Sequence, residues 1–276
     1  MSDFTIGQYY PEESIIHRLD PRVKLFGTLV FIVMLFVTNN FLGFVLMALY
    51  LAVVVALSKL PFLKVLKGIR GILFILILSA VLNLFLTPGK VVLFHWQFFR
   101  ITDEGVVRCS FIIVRLLLLV IATSIMTLTT KPNDLADGME KALGFLKVIK
   151  VPVHEIAMIM SLALRFIPTL MEETDRIKKA QMARGADFES GNIIKRVKSL
   201  LPILIPLFVS SIKRAVNLAQ AMEARCYNGG NRTKLHPLKY KKRDAVSYLC
   251  CFVVIASVIV VNILVVHFIN NKYMVF

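Results

Sequence analysis

The chain has only four cysteines, Cys109, Cys226, Cys250 and Cys251, and none stands in a CxxC pair or at Cys/His ligand spacing. Neither a disulfide framework nor a zinc site is indicated. Acidic residues are also scarce: 17 Asp and Glu stand against 33 Lys and Arg, a net charge of +16. No carboxylate pair falls within a long apolar run, so the usual signature of an ion-coupled carrier is missing. No GxxxxGK[ST] occurs, so any ATP that drives the protein must be bound by other chains. The segment from Met1 to Asp20 is polar and has no apolar h-region, and is not expected to be a cleaved signal peptide.

Apolar residues, by contrast, make up 57% of the 276 positions. A soluble domain of this length has no core large enough to hold them, which implies a polytopic membrane protein. Val23 to Ser58 is almost unbroken apolar sequence, interrupted at Thr38-Asn39-Asn40. At about 1.5 Å per residue it makes two spans of a ~30 Å hydrocarbon core joined by a tight turn. A third span is expected from Ile69 to Leu86, closed by Pro88-Gly89, a fourth from Gly105 to Thr129, and a fifth from Ala245 to Ile269. The connection at 88–104 admits two readings, a pair of short strands or a segment in the interface.

Between Lys131 and Arg243 the apolar runs shorten, prolines appear at Pro132, Pro152, Pro168, Pro202 and Pro206, and 21 of the 33 Lys and Arg accumulate. Two stretches here, Ile156 to Met171 and Leu200 to Val209, look too short to span. If both crossed, the basic segment Glu172 to Ser199 would lie outside, against the positive-inside rule. The expected organisation is therefore all-α. Residues 1–131 would hold four transmembrane helices with an extracellular connection at 88–104, 132–242 a cytoplasmic domain of long crossed amphipathic helices, and 243–276 the last transmembrane helix. The N-terminus would lie in the cytoplasm and the C-terminus outside.

Within the central region a short helix is expected over Pro132 to Leu146, followed by long helices over Val153 to Ala183 and Asn192 to Tyr227, bent at their prolines. Ile156, Ile159, Met160, Phe166 and Leu170 recur at helical spacing, and Leu201, Leu204 and Phe208 form a second apolar stretch. A partner-contact face and a packed core face share this periodicity, so both readings stand. Each long helix ends on a similar group, Ala183-Arg184-Gly185 and Ala224-Arg225-Cys226. Gly185 and Asn228-Gly229-Gly230 supply residues that reverse a chain at a helix C-terminus. Arginine near such an end complements the helix dipole without any partner. Two copies between small neighbours point further, to exposed forks able to bind carboxylates.

These residues carry a resemblance. The chain resembles the transmembrane T component of energy-coupling factor transporters, the scaffold of a class of ATP-binding-cassette importers. The family's two X-Arg-Gly coupling motifs match Ala183-Arg184-Gly185 and Ala224-Arg225-Cys226, the second with Cys226 in place of glycine. Leu19-Asp20-Pro21-Arg22-Val23-Lys24 and Leu164-Arg165-Phe166-Ile167-Pro168 are similar to further family signatures, and the likeness covers essentially the whole chain. It implies a non-catalytic subunit of the bacterial cell membrane, with no cofactor of its own. Two ATPase subunits would bind ATP and Mg, and a small membrane subunit, dedicated or interchangeable, would capture a vitamin or metal ion. Arg184 and Arg225 would dock into the ATPases. Ile156, Ile159, Met160, Phe166, Leu170, Leu201, Leu204 and Phe208 would cradle the substrate subunit.

Two other classes compete. An intramembrane enzyme would need more than His154-Glu155, which starts like HExxH but lacks the second histidine, and more than Glu172-Glu173, which reads as solvated helix surface. A stand-alone secondary carrier would need intramembrane acids and repeated halves. Arg115 is the deepest charge in a span and must meet another helix or a polar group on a partner. Lys239-Tyr240-Lys241-Lys242-Arg243 reads as a topology signal and anionic-lipid contact, not as a nucleic-acid site.

Overall fold

The computed structural model describes residues 9–88, 92–96, 99–142, 144, 148, 150–188, 192–227, 238 and 240–273. They form helices α1 (Pro21–Val37), α2 (Phe41–Ser58), α3 (Phe62–Leu86), α4 (Asp103–Thr129), α5 (Pro132–Ala142), α6 (Val153–Ala183), α7 (Ile193–Glu223) and α8 (Lys242–Tyr273). Strands β1 (Val92–Trp96) and β2 (Phe99–Thr102) pair antiparallel between α3 and α4, with His95 opposite Arg100. Of the two readings of that connection, the paired strands are the one realised. Thr102 then starts α4: its hydroxyl accepts from the Gly105 N–H at 3.1 Å and donates to the Thr87 carbonyl at 3.0 Å.

The chain divides into two compact units, residues 7–151 with 239–276, and residues 1–6 with 152–238. The first unit holds α1 to α5 and α8. Its core is built by Phe31 and Leu35 of α1, Phe44, Met47 and Leu51 of α2, Leu118, Ala122 and Ile125 of α4, and Val258 of α8. Outside that core the helices stay apolar: Phe41 is 74% exposed and Phe74 76%. Such side chains are at rest only in lipid, where exposed apolar surface carries no hydrophobic cost. At Gly68 of α3 a Cβ would come within 2.4 Å of the Ser124 hydroxyl on α4, so the bare backbone there allows the two helices their close approach.

Both ends of α1 are pinned by polar side chains from other helices. At its start, Asp20 accepts from the Arg22 N–H at 3.0 Å while its own N–H donates to the buried Asp244 at 3.0 Å, and Asp244 also accepts from the Lys241 N–H at 2.7 Å. One carboxylate thus ties the first turn of α8 to the cap of α1. Lys24 donates to the last-turn carbonyl of Thr129 on α4 at 2.8 Å and to the His17 carbonyl at 3.2 Å. His17, ahead of the span, is held below its ordinary pKa, first by burial and then by the Lys24 ammonium. At the other end, Arg115 of α4 donates to the Thr38 carbonyl at 2.9 Å and to the Asn39 side chain at 3.1 Å. Its guanidinium lies 5.6 Å from the ring centres of both Phe36 and Phe44. Asn262 of α8 joins the same turn, accepting from the Asn40 amide at 2.9 Å. Lys24 to Thr38 and Arg115 to Thr129 are equal separations along antiparallel helices, so the two pins set one register over roughly 21 Å. Arg115 therefore has its partner within the chain.

One expectation needs correction, and one packing contact lies outside what the sequence indicates. Length does not set α6 and α7 apart from the spans: by length and composition α2, α4, α6, α7 and α8 all contain stretches able to cross a membrane. As expected, both long helices run on through their prolines, Pro168 in α6 and Pro202 and Pro206 in α7. Their apolar runs consequently join flanking residues into one helix. Second, α5 packs on α1, with Gly138 against Pro21, so the contact between α5 and α1 lies within the first unit. Replacing Arg115 by methionine leaves the Thr38 carbonyl and Asn39 without their donor. The expected cost is about 2 kcal/mol, read as a lowered thermal midpoint in detergent.

Candidate functional site

The second unit is the pair α6 and α7. Glu173 of α6 accepts from both the Ser210 hydroxyl and the Arg214 guanidinium of α7. Farther along, Tyr227 donates to the Met158 sulfur at 3.1 Å. Positions rising along α7 thus meet positions falling along α6, and the two helices are antiparallel. Phe166 and Leu170 line a cavity between them with Arg214, Leu218 and Met222. Glu173 is a correction to the sequence reading: of the two adjacent glutamates only Glu172 stays at the surface, and Glu173 bridges the helices. Nothing in the local sequence separates the two, since the choice depends on where α7 lies.

The arginines sit at the two helix ends in the same turn. After α6, the Gly185 N–H donates to the Met182 carbonyl at 3.0 Å and the Ala186 N–H to the Gln181 carbonyl at 3.0 Å. After α7, the Cys226 N–H donates to the Glu223 carbonyl at 2.8 Å and the Tyr227 N–H to the Met222 carbonyl at 3.0 Å. This is the paired 5→2 and 6→1 closure of a helix by a left-handed residue. Gly185 has φ +84° and Cys226 φ +57°. Cys226 therefore replaces glycine in sequence while keeping its backbone conformation, at a steric cost of about 1–2 kcal/mol. The expected reversal at Asn228-Gly229-Gly230 is already made by Cys226; those three residues lie outside the described ones.

Arg184 and Arg225 each precede the left-handed residue, both exposed, between exposed Ala183 and Gly185 and exposed Ala224 and Cys226. Among the described residues neither guanidinium pairs with a carboxylate. Because the helices are antiparallel and Tyr227 bonds near the start of α6, the two arginines lie at opposite ends of the pair. Their separation along α6 is on the order of 40 Å.

The proposed apolar cradle splits in two. Ile156, Ile159 and Met160 of α6 and Leu201, Leu204 and Phe208 of α7 are exposed, Phe208 to 66%. Phe166 and Leu170 are half-buried and turn toward α7. Exposed apolar surface this continuous marks a contact with lipid or another protein.

Comparison with known proteins bears on the same residues. The CbiQ family, described as a cobalt transport protein, matches residues 12–236. The chain is 49% identical over 257 residues to the energy-coupling factor transporter transmembrane protein EcfT of Clostridium kluyveri, covering 92% of this chain and 95% of that one. It is 50% identical over 260 residues to EcfT of Acidaminococcus fermentans, covering 93% and 97%. With EcfT of Bacillus subtilis it shares 45% over 260 residues, covering 94% and 98%. The chain belongs to this family of transporter transmembrane proteins. It is accordingly a membrane protein and a component of an energy-coupling factor transporter, and both arginine turns fall within the matched residues.

Gly185 has no heavy atom within 4 Å of where a Cβ would lie, so its requirement for glycine is conformational alone. Gly185→Ala should weaken the α6 end by about 1–2 kcal/mol, whereas Cys226→Gly should strengthen the α7 end by a similar amount. Hydrogen exchange of the amides at 186 and 227 measures both.

Proposed function

We propose that the chain is the energy-coupling scaffold of a vitamin or metal-ion importer, non-catalytic itself. It links two cytoplasmic ATPase subunits to a small substrate-binding membrane subunit. The supporting observation is that two exposed guanidinium groups, built by the same backbone turn, stand at opposite ends of one antiparallel helix pair. One fork per ATPase follows from their separation, since a single groove cannot reach both. Each guanidinium would enter a groove lined by acidic or polar groups, where a bidentate contact is strong and directional. When ATP draws the two ATPases together, a load applied at Arg184 and Arg225 acts on the two ends of the pair in opposite senses. Glu173, Ser210 and Arg214 tie the helices between those ends, so the load becomes a relative tilt of α6 and α7.

The exposed faces of α6 and α7 would carry that tilt to the substrate subunit through Ile156, Ile159, Met160, Leu201, Leu204 and Phe208. Phe166 and Leu170 serve this surface from behind, as packing between the helices. The orientation proposed with this mechanism keeps 132–242 in the cytoplasm and sends α8 outward. Support comes from the charge of the α6 end and the segment after it, where Arg176, Lys178, Lys179 and Arg184 accumulate. ATP and Mg would be bound wholly by the partner ATPases.

Arg184→Glu and Arg225→Glu should each weaken assembly with the ATPase subunits by about 2–5 kcal/mol and abolish uptake when combined, measured by co-purification and a transport assay. Normal transport by the double variant would overturn the coupling role. Lys179→Cys, in a chain otherwise cleared of cysteine, should react with an impermeant maleimide only in inside-out vesicles. Labelling from the outer face would overturn the orientation.

A further inference from the structure

A cavity of about 240 Å³ opens among α1, α2, α4 and α8 in the first unit. Its walls are apolar over most of their area, with Val23, Gly27 and Phe31 of α1 and Leu51 of α2 among the residues that form them. It is larger than the ~150 Å³ apolar cavity that stays dry and accepts benzene. From Lys24 to Phe31 the cavity runs about 10 Å along α1. The polar groups are not spread evenly. Lys24 and Arg243 lie at the end where α1 and α8 begin, and Arg243 is exposed. Lys24 uses two ammonium hydrogens on the Thr129 and His17 carbonyls, at 2.8 and 3.2 Å, and an ammonium has three.

We propose that this crevice holds one anionic phospholipid of the cytoplasmic leaflet, its acyl chain against Gly27 and Phe31 and its phosphate on Arg243 with the third Lys24 hydrogen. The inference rests on the orientation proposed above, which the Lys179→Cys labelling reports independently. Two features of the site favour this occupant. Beyond its mouth, and apart from the hydroxyls of Thr28, Tyr50, Thr129 and Ser247, the slot is lined by apolar side chains and cysteines, and the Tyr50 hydroxyl sits near the Cys251 sulfur at 3.9 Å, so a hydrocarbon chain suits its depth. Around the mouth Lys24 and exposed Lys241, Lys242 and Arg243 outnumber the carboxylates of Asp20, Asp134 and Asp244, so the head group it selects is negative. Gly27 leaves the slot open, since a Cβ there would meet only the Cys251 sulfur, at 3.4 Å. A lipid in this position would contact α1, α2, α4 and α8 together and brace their register.

The test uses the full-length chain in nanodiscs of equimolar phosphatidylglycerol and phosphatidylcholine, released and weighed by native mass spectrometry. One retained phosphatidylglycerol per chain is expected, in clear excess over phosphatidylcholine. Arg243→Gln should lower that preference about fivefold, the effect of roughly 1 kcal/mol per basic residue at an anionic surface. Gly27→Leu fills the slot and should remove the retained lipid of either kind, with circular dichroism melting to verify its fold. Equal retention of the two lipids by the parent chain overturns the proposal, as does an unchanged ratio in Arg243→Gln. Should Gly27→Leu fail to fold, the Arg243→Gln ratio decides alone.

Discussion

Backbone groups left open at helix ends and buried between helices need partners from the protein, and α1, α4 and α8 meet this constraint by exchanging polar side chains. Lys24 closes the last turn of α4, Arg115 closes the last turn of α1, and Asp244 holds the caps of α1 and α8 together. Each pin links elements far apart in sequence. Since apolar packing discriminates poorly between registers in lipid, these few polar contacts determine which turn of α4 lies beside which turn of α1. The core of Leu35, Met47, Leu118 and Val258 fills the space that the pins define.

The α6 and α7 pair follows a different logic. Its exposed apolar residues do not close a core of their own, and its internal tie is polar, centred on Glu173. In the proposed coupling role, a pair held by a local clamp and left open along its flank would act as a lever while keeping its ends defined. Those ends are defined by backbone geometry: the same pair of hydrogen bonds closes both helices, and a left-handed residue follows each arginine. Glycine reaches that conformation freely and Cys226 reaches it at a cost, so the two ends match in shape although they differ in sequence.

Much of this was legible beforehand because it depends on local pattern. The helix over Val153 to Ala183 and the break at Thr38-Asn40 follow from apolar runs and turn residues, and both arginines at helix ends follow from the small residues beside them. The resemblance to a transporter scaffold was carried by the same residues. What the pattern misjudged was span length: the stretches Ile156 to Met171 and Leu200 to Val209 look short, yet α6 and α7 each contain a run long and apolar enough to cross a membrane. Pro168, Pro202 and Pro206 lie inside the long helices as their sequence positions imply, since one lost hydrogen bond does not end a helix whose neighbouring turns are intact. Residues with two possible sides were also undetermined. Phe166 and Ile156 share one periodicity, yet one turns to α7 and the other outward, and Glu173 parts from Glu172 in the same way.

The amino-acid sequence alone determined that this is a helical membrane protein carrying two exposed arginine turns. Hydropathy, charge and left-handed capping are properties of short segments, and short segments can be read in isolation. Only the tertiary structure decided that the helices bearing the arginines run antiparallel, and so hold them at opposite ends. Only it decided that Arg115 answers to the α1–α2 turn and that Asp244 joins two helix caps. Those outcomes depend on which distant segment arrives beside which, and that is settled by packing over the whole chain.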